Sequence, residues 1–275
     1  MSGEQTGGIA DAKRVVVKVG TSTLTYENGR LNIRRVETLA RVLSDIKNSG
    51  REMVLVTSGA VGVGAGRLGL KERPRDLCGR QAAASVGQCE LMYIYDKLFS
   101  EYGHVTAQVL LTRDVVEDDN RQKNVVNTIS RLLEYGALPI VNENDAVSVE
   151  ELEFGAHNTF GDNDTLSAIV AELSGAQALV MLTDLDGLYT ADPGVDAGAQ
   201  RIPQVDRIDD SLRRMASGAG SARGTGGMIT KLNAAAIATA AGIPTVIMNG
   251  ANPRLLYDLF DGVPTGTLFT PQRVR

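Results

Sequence analysis

Short apolar runs rich in β-branched residues alternate along this chain with longer segments of helical periodicity. The runs are almost continuously apolar instead of alternating with polar residues, which is typical of parallel strands buried on both faces of a sheet. They predict six strands: Val15–Val19, Met53–Thr57, Val105–Leu111, Leu138–Asn142, Ala178–Thr183 and Thr245–Met248.

Helical stripes of apolar residues lie between these runs, and each stripe ends at a glycine, a common helix stop. The four stripes run from Ile33 to Ile46, Val126 to Leu133, Leu166 to Leu173 and Leu232 to Ala240, ending at Gly50, Gly136, Gly175 and Gly242. Repetition of strand and helix predicts an α/β fold, a three-layer αβα sandwich with a mostly parallel central sheet. Ligands of such sheets bind beyond the carboxyl ends of the strands, so the residues that follow each strand are candidates for function.

Composition excludes several classes of function. The 275 residues carry 28 basic and 33 acidic side chains, a formal charge of -5, which argues against non-specific binding to nucleic acid or anionic membranes. Two cysteines are too few for a disulfide framework, no apolar stretch approaches the ~18 residues of a membrane span, and the amino terminus lacks a signal-peptide core. We therefore expect a cytoplasmic protein with a flexible segment at residues 1–13 and one folded domain at residues 14–270.

The first two predicted strands each lead into a glycine turn with hydroxyl groups. Lys18 and Gly20 precede Thr21, and Ser58 precedes Gly59; such turns suit an anion but are also ordinary turn chemistry. The run 64–69 matches the GxGxxG pattern, but a dinucleotide site begins directly at the strand end. We therefore interpret these glycines as points of close helix packing.

Carboxylates and amides follow the next strands. The runs Asn142–Asp145 and Gly161–Asp164 offer groups that grip an amino group or organise lysines, although an aspartate there also simply caps the following helix. Thr183 and Asp184 suit a ribose or an adenine edge, or else belong to an Asp-Gly turn.

A glycine-rich loop, Gly224–Lys231, runs into the last predicted helix. Its backbone amides and the helix N-terminus would cradle phosphates, with Lys231 one turn inside, and it is not the GxxxxGK[ST] loop of Walker-type NTPases. Together with Lys18 and the acidic-amide cluster, this loop indicates phosphoryl transfer. A carboxylate acceptor would need no general base, because it is already ionised at neutral pH.

Eight segments carry a resemblance to the amino acid kinase family, and most specifically to its glutamate 5-kinase branch. They are VVVKVGTSTLT, VTSGAVGVG, QAAASVGQ, QVLLTRDVVEDDNR, PIVNENDAVSVEELEFG, GDNDTLSA, LTDLDGLYTADP and GTGGMITKL. NENDAV, GDND and GTGGM-x-TK are more specific to this branch than to the aspartate, N-acetylglutamate or nucleotide kinases. The resemblance covers the chain from about Arg14 to Phe269.

This resemblance implies ATP-dependent phosphorylation of the γ-carboxylate of L-glutamate to L-glutamyl 5-phosphate, the first step of proline biosynthesis. The implied catalytic residues are Lys18, Lys231 and Asp164, and the implied glutamate-binding residues are Ser58, Asp145 and Asn163. The implied ATP-binding residues are Lys18, Thr183, Asp184, Thr225, Gly226, Gly227, Met228, Ile229, Thr230 and Lys231. Mg²⁺ would travel with ATP, held mainly by phosphate oxygens, with no ligands from the protein.

Further expectations follow from the same resemblance. Proline would act as a feedback inhibitor, the chain would form homo-oligomers, and the product would pass to glutamyl phosphate reductase. Only six residues follow Phe269, so we expect no C-terminal RNA-binding-type (PUA) domain, and the segment 150–160 is longer than expected for a flap over glutamate. Two alternatives stay open: a binding protein that has lost turnover, and a sister kinase acting on another carboxylate.

Overall fold

The computed structural model describes residues 8–26, 30–147, 163–217 and 227–271, which form one sheet with helices on both faces. The strands are β1 (Arg14–Val19), β2 (Glu52–Val56), β3 (Thr106–Leu111), β4 (Leu138–Glu143), β5 (Ala178–Thr183), β6 (Gln204–Val205), β7 (Thr245–Asn249) and β8 (Thr267–Phe269). The helices are α1 (Thr21–Leu24), α2 (Ile33–Asn48), α3 (Ala60–Arg67), α4 (Leu77–Ser100), α5 (Asp114–Glu117), α6 (Asp119–Glu134), α7 (Asn163–Leu173), α8 (Asp210–Ser217), α9 (Met228–Ala240) and α10 (Leu255–Phe260).

The strands lie in the order β3-β4-β2-β1-β5-β7-β8-β6. Strand β1 is central and pairs in parallel with β2 and β5, and the antiparallel pair is that of β7 with β8. The expected αβα sandwich with a mostly parallel sheet is confirmed. Strands β6 and β8 were not predicted, because two or three residues are too few to show a pattern.

All six predicted strands are present, each within one residue of its predicted ends. Strands β4 and β5 are buried at every position, as their continuous apolar runs predict. Strand β3 is different, because it lies at the edge of the sheet and is partly exposed, and Val105 before it is 70% exposed. The expectation of burial on both faces is wrong for this strand.

The four predicted helices correspond to α2, α6, α7 and α9, and each is followed by its predicted glycine at positive φ. Helix α4 was missed as a helix, because its apolar residues are spread around its circumference instead of forming one stripe. It packs against both the sheet and α3. A Cβ on Gly64 would lie 1.7 Å from the Ala83 carbonyl oxygen, and one on Gly87 would lie 1.8 Å from that of Ala60. This close crossing confirms the interpretation of Gly64 as a packing glycine. The same interpretation is wrong for Gly66 and Gly69, which are exposed.

The two faces of the sheet support different helices, and the strand period of two decides which side chain meets which layer. Val15, Val17 and Val19 of β1 pack with α2, α4 and α10, whereas Val16 packs with the layer of α6, α7 and α9. Lys18 follows Val16 by two residues, so β1 directs it to the α7 and α9 side.

The packed part of the chain begins before Arg14. A short 3-10 turn, Ile9–Asp11, places Ile9 in the core beside α10, with none of its surface exposed. The segment 1–7, the flap residues 150–160, Asp162, Thr225 and Gly226 lie outside the described residues. Among the described helices, none is long and apolar enough to cross a lipid bilayer.

Candidate functional site

Five neighbouring strands, β4, β2, β1, β5 and β7, are parallel, so their carboxyl ends meet at one edge of the sheet. Polar residues lie within two positions of these ends: Lys18, Thr57, Ser58, Asn142, Thr183 and Asn249. This is the edge at which ligands of open α/β sheets bind.

Three charged side chains meet at this edge, and we call them the charged centre: Lys18, Asp164 and Lys231. Asp164 Oδ1 lies 2.5 Å from Lys18 Nζ, and Asp164 Oδ2 lies 3.1 Å from Lys231 Nζ. Asp164 is fully buried, and each lysine is less than a tenth exposed. The structure therefore brings together the three residues predicted to be catalytic, from β1 and from the first turns of α7 and α9.

The environment of Asp164 keeps its carboxylate ionised. Burial raises the pKa of Asp164, but the charges of Lys18 and Lys231 and hydrogen bonds from Lys18 and Thr230 outweigh that effect and lower its pKa to about 2. Two ammonium groups and one carboxylate leave these three groups with one net positive charge at neutral pH. A positive centre held on rigid elements is suited to stabilise the negative charge of a bound anion, such as a phosphoryl group.

The turn after β1 lies against this centre. A Cβ on Gly20 would lie 3.6 Å from Lys18 Nζ, so the backbone there approaches the ammonium closely. Thr21 Oγ1 lies 3.2 Å from Ser58 Oγ, and Ser58 also donates to the Val19 carbonyl oxygen at 3.2 Å. Gly59 follows at φ 97°, a left-handed conformation that favours glycine and lets the chain turn sharply from β2 into α3.

Neutral amides form a second group at the edge, which we call the amide chain. Asn163 Nδ2 donates to the Thr57 carbonyl oxygen at 2.9 Å and to Asn142 Oδ1 at 3.0 Å. Asn142 Nδ2 donates in turn to Gln88 Oε1 of α4 at 2.9 Å. The amide chain thus connects the first residue of α7, over the ends of β2 and β4, to a helix on the opposite face of the sheet.

Asp145 lies in a turn directly after β4, half-buried and at the same edge as Ser58 and Asn163. The backbone holds this turn in place, because Asn144 N donates to the Leu111 carbonyl oxygen and Val147 N to that of Asn144. The predicted glutamate residues Ser58, Asp145 and Asn163 therefore come from the ends of β2, β4 and the start of α7.

The predicted nucleotide residues that the structure describes, apart from Lys18 in β1 itself, lie on the other side of β1. Thr183 is buried at the end of β5 and donates to Asp184 Oδ1 at 2.9 Å. Gly227 is the N-cap of α9, and its missing side chain cannot bond the first amide groups of the helix. An anion site requires such amide groups that no capping side chain occupies. Within α9, Met228 and Ile229 precede Thr230, whose hydroxyl donates to Asp164 Oδ2 at 2.9 Å.

Several residues of this site were missed as individual candidates. Thr21 and Asn142 lie in the segments after predicted strands from which function is expected, whereas Thr57 acts through its backbone carbonyl. Gln88 ends the QAAASVGQ segment, and nothing in a single sequence connects it with Asn142, which is 54 positions away.

Known proteins that are similar to this chain identify its family. The model of the amino acid kinase family matches residues 13–249. The glutamate 5-kinase of Clostridium perfringens is 52% identical over 96% of this chain and 98% of its own length, and that of Listeria innocua is 50% identical over 96% and 95%. The glutamate 5-kinase of Moorella thermoacetica is 51% identical over 97% of this chain and 69% of its own length.

Solved structures with the same fold are more distant in sequence. A UMP kinase from Bacillus anthracis has a TM-score of 0.64 at 17% identity, covering 94% of this chain and 96% of its own. An isopentenyl phosphate kinase from T. acidophilum has a TM-score of 0.62 at 18% identity, covering 93% and 99%. The chain therefore belongs to the amino acid kinase family, and its similarity over nearly its whole length is to the glutamate 5-kinases of that family.

Proposed function

We infer that this protein catalyses the ATP-dependent phosphorylation of the γ-carboxylate of L-glutamate, the first step of proline biosynthesis. The observation that carries this function is the identity of about half of all residues with glutamate 5-kinases over nearly the full length of both chains. The charged centre at the sheet edge supports it, because phosphoryl transfer depends mainly on positioning and on positive charge around the transferred group.

The reaction needs little covalent participation by the protein. An oxygen of the γ-carboxylate forms a bond to the γ-phosphorus of ATP, the bond to the β–γ bridging oxygen breaks, and ADP leaves with that electron pair. We assign Lys18 and Lys231 to the two sides of the transferred phosphoryl group, where they neutralise its developing charge. Asp164 holds both ammonium groups in place and, with its low pKa, takes no proton from them.

Glutamate would bind on the β2 and β4 side of this centre. We assign Ser58, Asn163 and Asp145 to glutamate, with the Asp145 carboxylate facing the α-ammonium. The nucleotide would lie on the β5 side, contacting Thr183, Asp184 and the segment 225–231. In this arrangement the γ-carboxylate and the γ-phosphate meet at Lys18, whose strand lies between the two halves of the sheet.

A divalent metal generally accompanies ATP in kinases, and we propose Mg²⁺ here. Within the described residues, no three His, Cys, Asp or Glu side chains are grouped so that they could hold a metal ion, and Asp164 already contacts two ammonium groups. These residues fit Mg²⁺ held by phosphate oxygens and water, as this well-hydrated ion prefers. Bound there, Mg²⁺ supplies further positive charge to the phosphates.

The remaining parts of the proposal concern location and partners. Both cysteines, Cys78 and Cys89, are free thiols, which supports a reducing compartment such as the cytoplasm. We also propose feedback inhibition by proline at the glutamate site, assembly into homo-oligomers, and delivery of the labile acyl phosphate to glutamyl phosphate reductase.

The proposed function is tested by incubating the protein with ATP, Mg²⁺ and a panel of amino acids and trapping any acyl phosphate as a hydroxamate. We expect hydroxamate with glutamate, together with a stoichiometric release of ADP. ADP release without hydroxamate would contradict a carboxylate acceptor. Binding of ATP and glutamate without turnover would indicate a binding protein, and a preference for another carboxylate would indicate a sister kinase.

A further inference from the structure

The amide chain has a single possible direction, because one of its ends is a backbone carbonyl. The Thr57 carbonyl oxygen accepts hydrogen bonds only, so Asn163 must present its amino group to it. That same amino group donates to Asn142, which must present its oxygen, and the Asn142 amino group then donates to Gln88 Oε1. The orientation of all three side-chain amides therefore follows from one fixed acceptor.

This direction determines what Asn163 can offer a ligand. Its Nδ2 is used twice within the protein, whereas its Oδ1 makes no hydrogen bond within the described part of the chain. A carbonyl oxygen at this edge is an acceptor, and the group of an amino acid that needs acceptors is the α-ammonium.

Gln88 lies at the far end of the amide chain and is held rigidly. It directly follows Gly87, whose backbone packs on Ala60 of α3 so closely that no side chain fits there. Gln88 is only 8% exposed, and its Nε2 is buried without an acceptor in the ranges that the structure describes. A buried donor without a partner is unfavourable for folding, so stability alone does not explain a glutamine at this position.

We propose that Gln88 is a positioning residue for the amino acid substrate, acting through Asn142 on Asn163. Its Oε1 keeps the Asn142 amino group turned towards α4 and the Asn142 oxygen turned towards Asn163. Asn163 then keeps its own oxygen free for the substrate α-ammonium. Without the acceptor at position 88, Asn142 is free to turn over and to present its amino group to Asn163. The Thr57 carbonyl still holds the Asn163 amino group, so two donors then face each other, and their repulsion displaces Asn163 and its oxygen from the substrate. This inference rests on the proposed function and identifies how the same site is oriented.

The test is Gln88→Met, which keeps the length and volume of the side chain but removes the acceptor. We expect the KM for glutamate to rise about tenfold, the effect of one well-placed hydrogen bond, with kcat and the KM for ATP within about twofold of the parent. Gln88→Ala also removes the acceptor and only shortens the side chain. It therefore serves as the test if Gln88→Met does not fold.

Tyr95→Phe is the matched control, since Tyr95 lies two turns further along α4, is fully buried, and bonds the Thr57 side chain instead of its carbonyl. We expect Tyr95→Phe to lower the melting temperature without changing the KM for glutamate. An equal rise in KM for both variants would mean that any loss of a hydrogen bond in α4 has this effect, and would overturn the proposal.

A double-mutant cycle completes the test. Because Gln88 acts through Asn163, Gln88→Met should add almost nothing to the KM of Asn163→Ala. Independent, multiplying effects would overturn the proposal, as would an unchanged KM for Gln88→Met in an active enzyme. A parent protein that forms no hydroxamate from glutamate would instead overturn the proposed function, and the role of Gln88 with it.

Discussion

The charged centre and the amide chain lie at the same edge of the sheet but are built from opposite kinds of groups. The charged centre lies on the α7 and α9 side and consists of three ions, with the Asp164 carboxylate 2.5 Å from Lys18 Nζ and 3.1 Å from Lys231 Nζ. The amide chain crosses to the α4 side and consists of neutral groups whose hydrogen bonds have a direction. Asn163 and Asp164, adjacent in α7, are the point at which the two groups join.

The difference indicates a division of labour. Charge acts over several ångströms and with little dependence on angle, so the charged centre suits a phosphoryl group whose geometry changes during transfer. Directed hydrogen bonds distinguish donors from acceptors, so the amide chain suits recognition of an amino acid. Changes in the charged centre should therefore alter kcat and stability, and changes on the glutamate side should alter KM and selectivity.

The largest effect is expected for Asp164→Ala. This change leaves the ammonium groups of Lys18 and Lys231 buried without their shared carboxylate, which typically costs about 3–5 kcal/mol. Urea denaturation at pH 7 measures it, with the exposed Asp258→Ala as the control that should change little. A decrease in the free energy of unfolding of less than about 1 kcal/mol would contradict this expectation. It would mean that the two ammonium groups bind other partners or water.

Next in size is the loss of a lysine of the charged centre. Lys231→Ala should lower kcat about 10²–10³-fold, because it removes charge that acts mainly in the transition state, while the KM for glutamate changes little. Asn233→Ala, on the exposed side of the same helix, is the control. Lys18→Ala should behave like Lys231→Ala. A nearly normal kcat would remove these lysines from the transfer step.

Selection of the substrate amino group tests the other side of the comparison. N-acetylglutamate replaces the α-ammonium with a neutral amide, so the Asp145 carboxylate no longer faces a positive charge of the substrate. In the parent, kcat/KM should therefore be lower for N-acetylglutamate than for glutamate by a factor of about 10² or more. In Asp145→Ala the two values of kcat/KM should lie closer together. Aspartate keeps the ammonium but is one methylene shorter, so little turnover is expected. Comparable use of glutamate and N-acetylglutamate by the parent would contradict both the role of Asp145 and the choice of substrate.

Acid should weaken the charged centre before the amide chain. The pKa of Asp164 is lowered from 3.8 to about 2, so its ion pairs stabilise the fold above about pH 4 and are lost as the pH falls from about 4 to 2. The shift corresponds to about 2 kcal/mol. The test is to measure the free energy of unfolding of the parent and of Asp164→Asn between pH 6 and pH 2. That of the parent should decrease more as the pH falls. Parallel curves would show that Asp164 does not carry this pH dependence.

The smallest effect expected is on proline inhibition. If proline shares the glutamate site, Asn163→Ala should raise the KM for glutamate and the inhibition constant for proline together, each about tenfold for one lost hydrogen bond. Steady-state kinetics at several proline concentrations show whether inhibition is competitive with glutamate. Non-competitive inhibition that Asn163→Ala does not change would place proline elsewhere.

Much of this protein could be predicted from local patterns. The apolar runs located the long strands to within one residue, and glycines marked the ends of the predicted helices, because burial and backbone sterics act on neighbouring residues. Lys18 and Lys231 were candidates because of their positions at a strand end and at a helix start, whereas the role of Asp164 was implied by the resemblance to the amino acid kinase family. Strands β6 and β8 were missed because they depend on pairing with each other and with β7 more than on their own few residues.

The sequence alone determined which face of the sheet Lys18 would take, since the period of two along β1 places it with Val16. Only the tertiary structure decided the partners of the amide chain. Gln88 and Asn142 are 54 positions apart, and Asn163 and Thr57 are 106 apart. They meet because α4 crosses α3 at contacts that only glycine permits, and because α7 begins above the ends of β2 and β4. Such hydrogen bonds depend on where whole elements pack, and no local pattern in the chain records that.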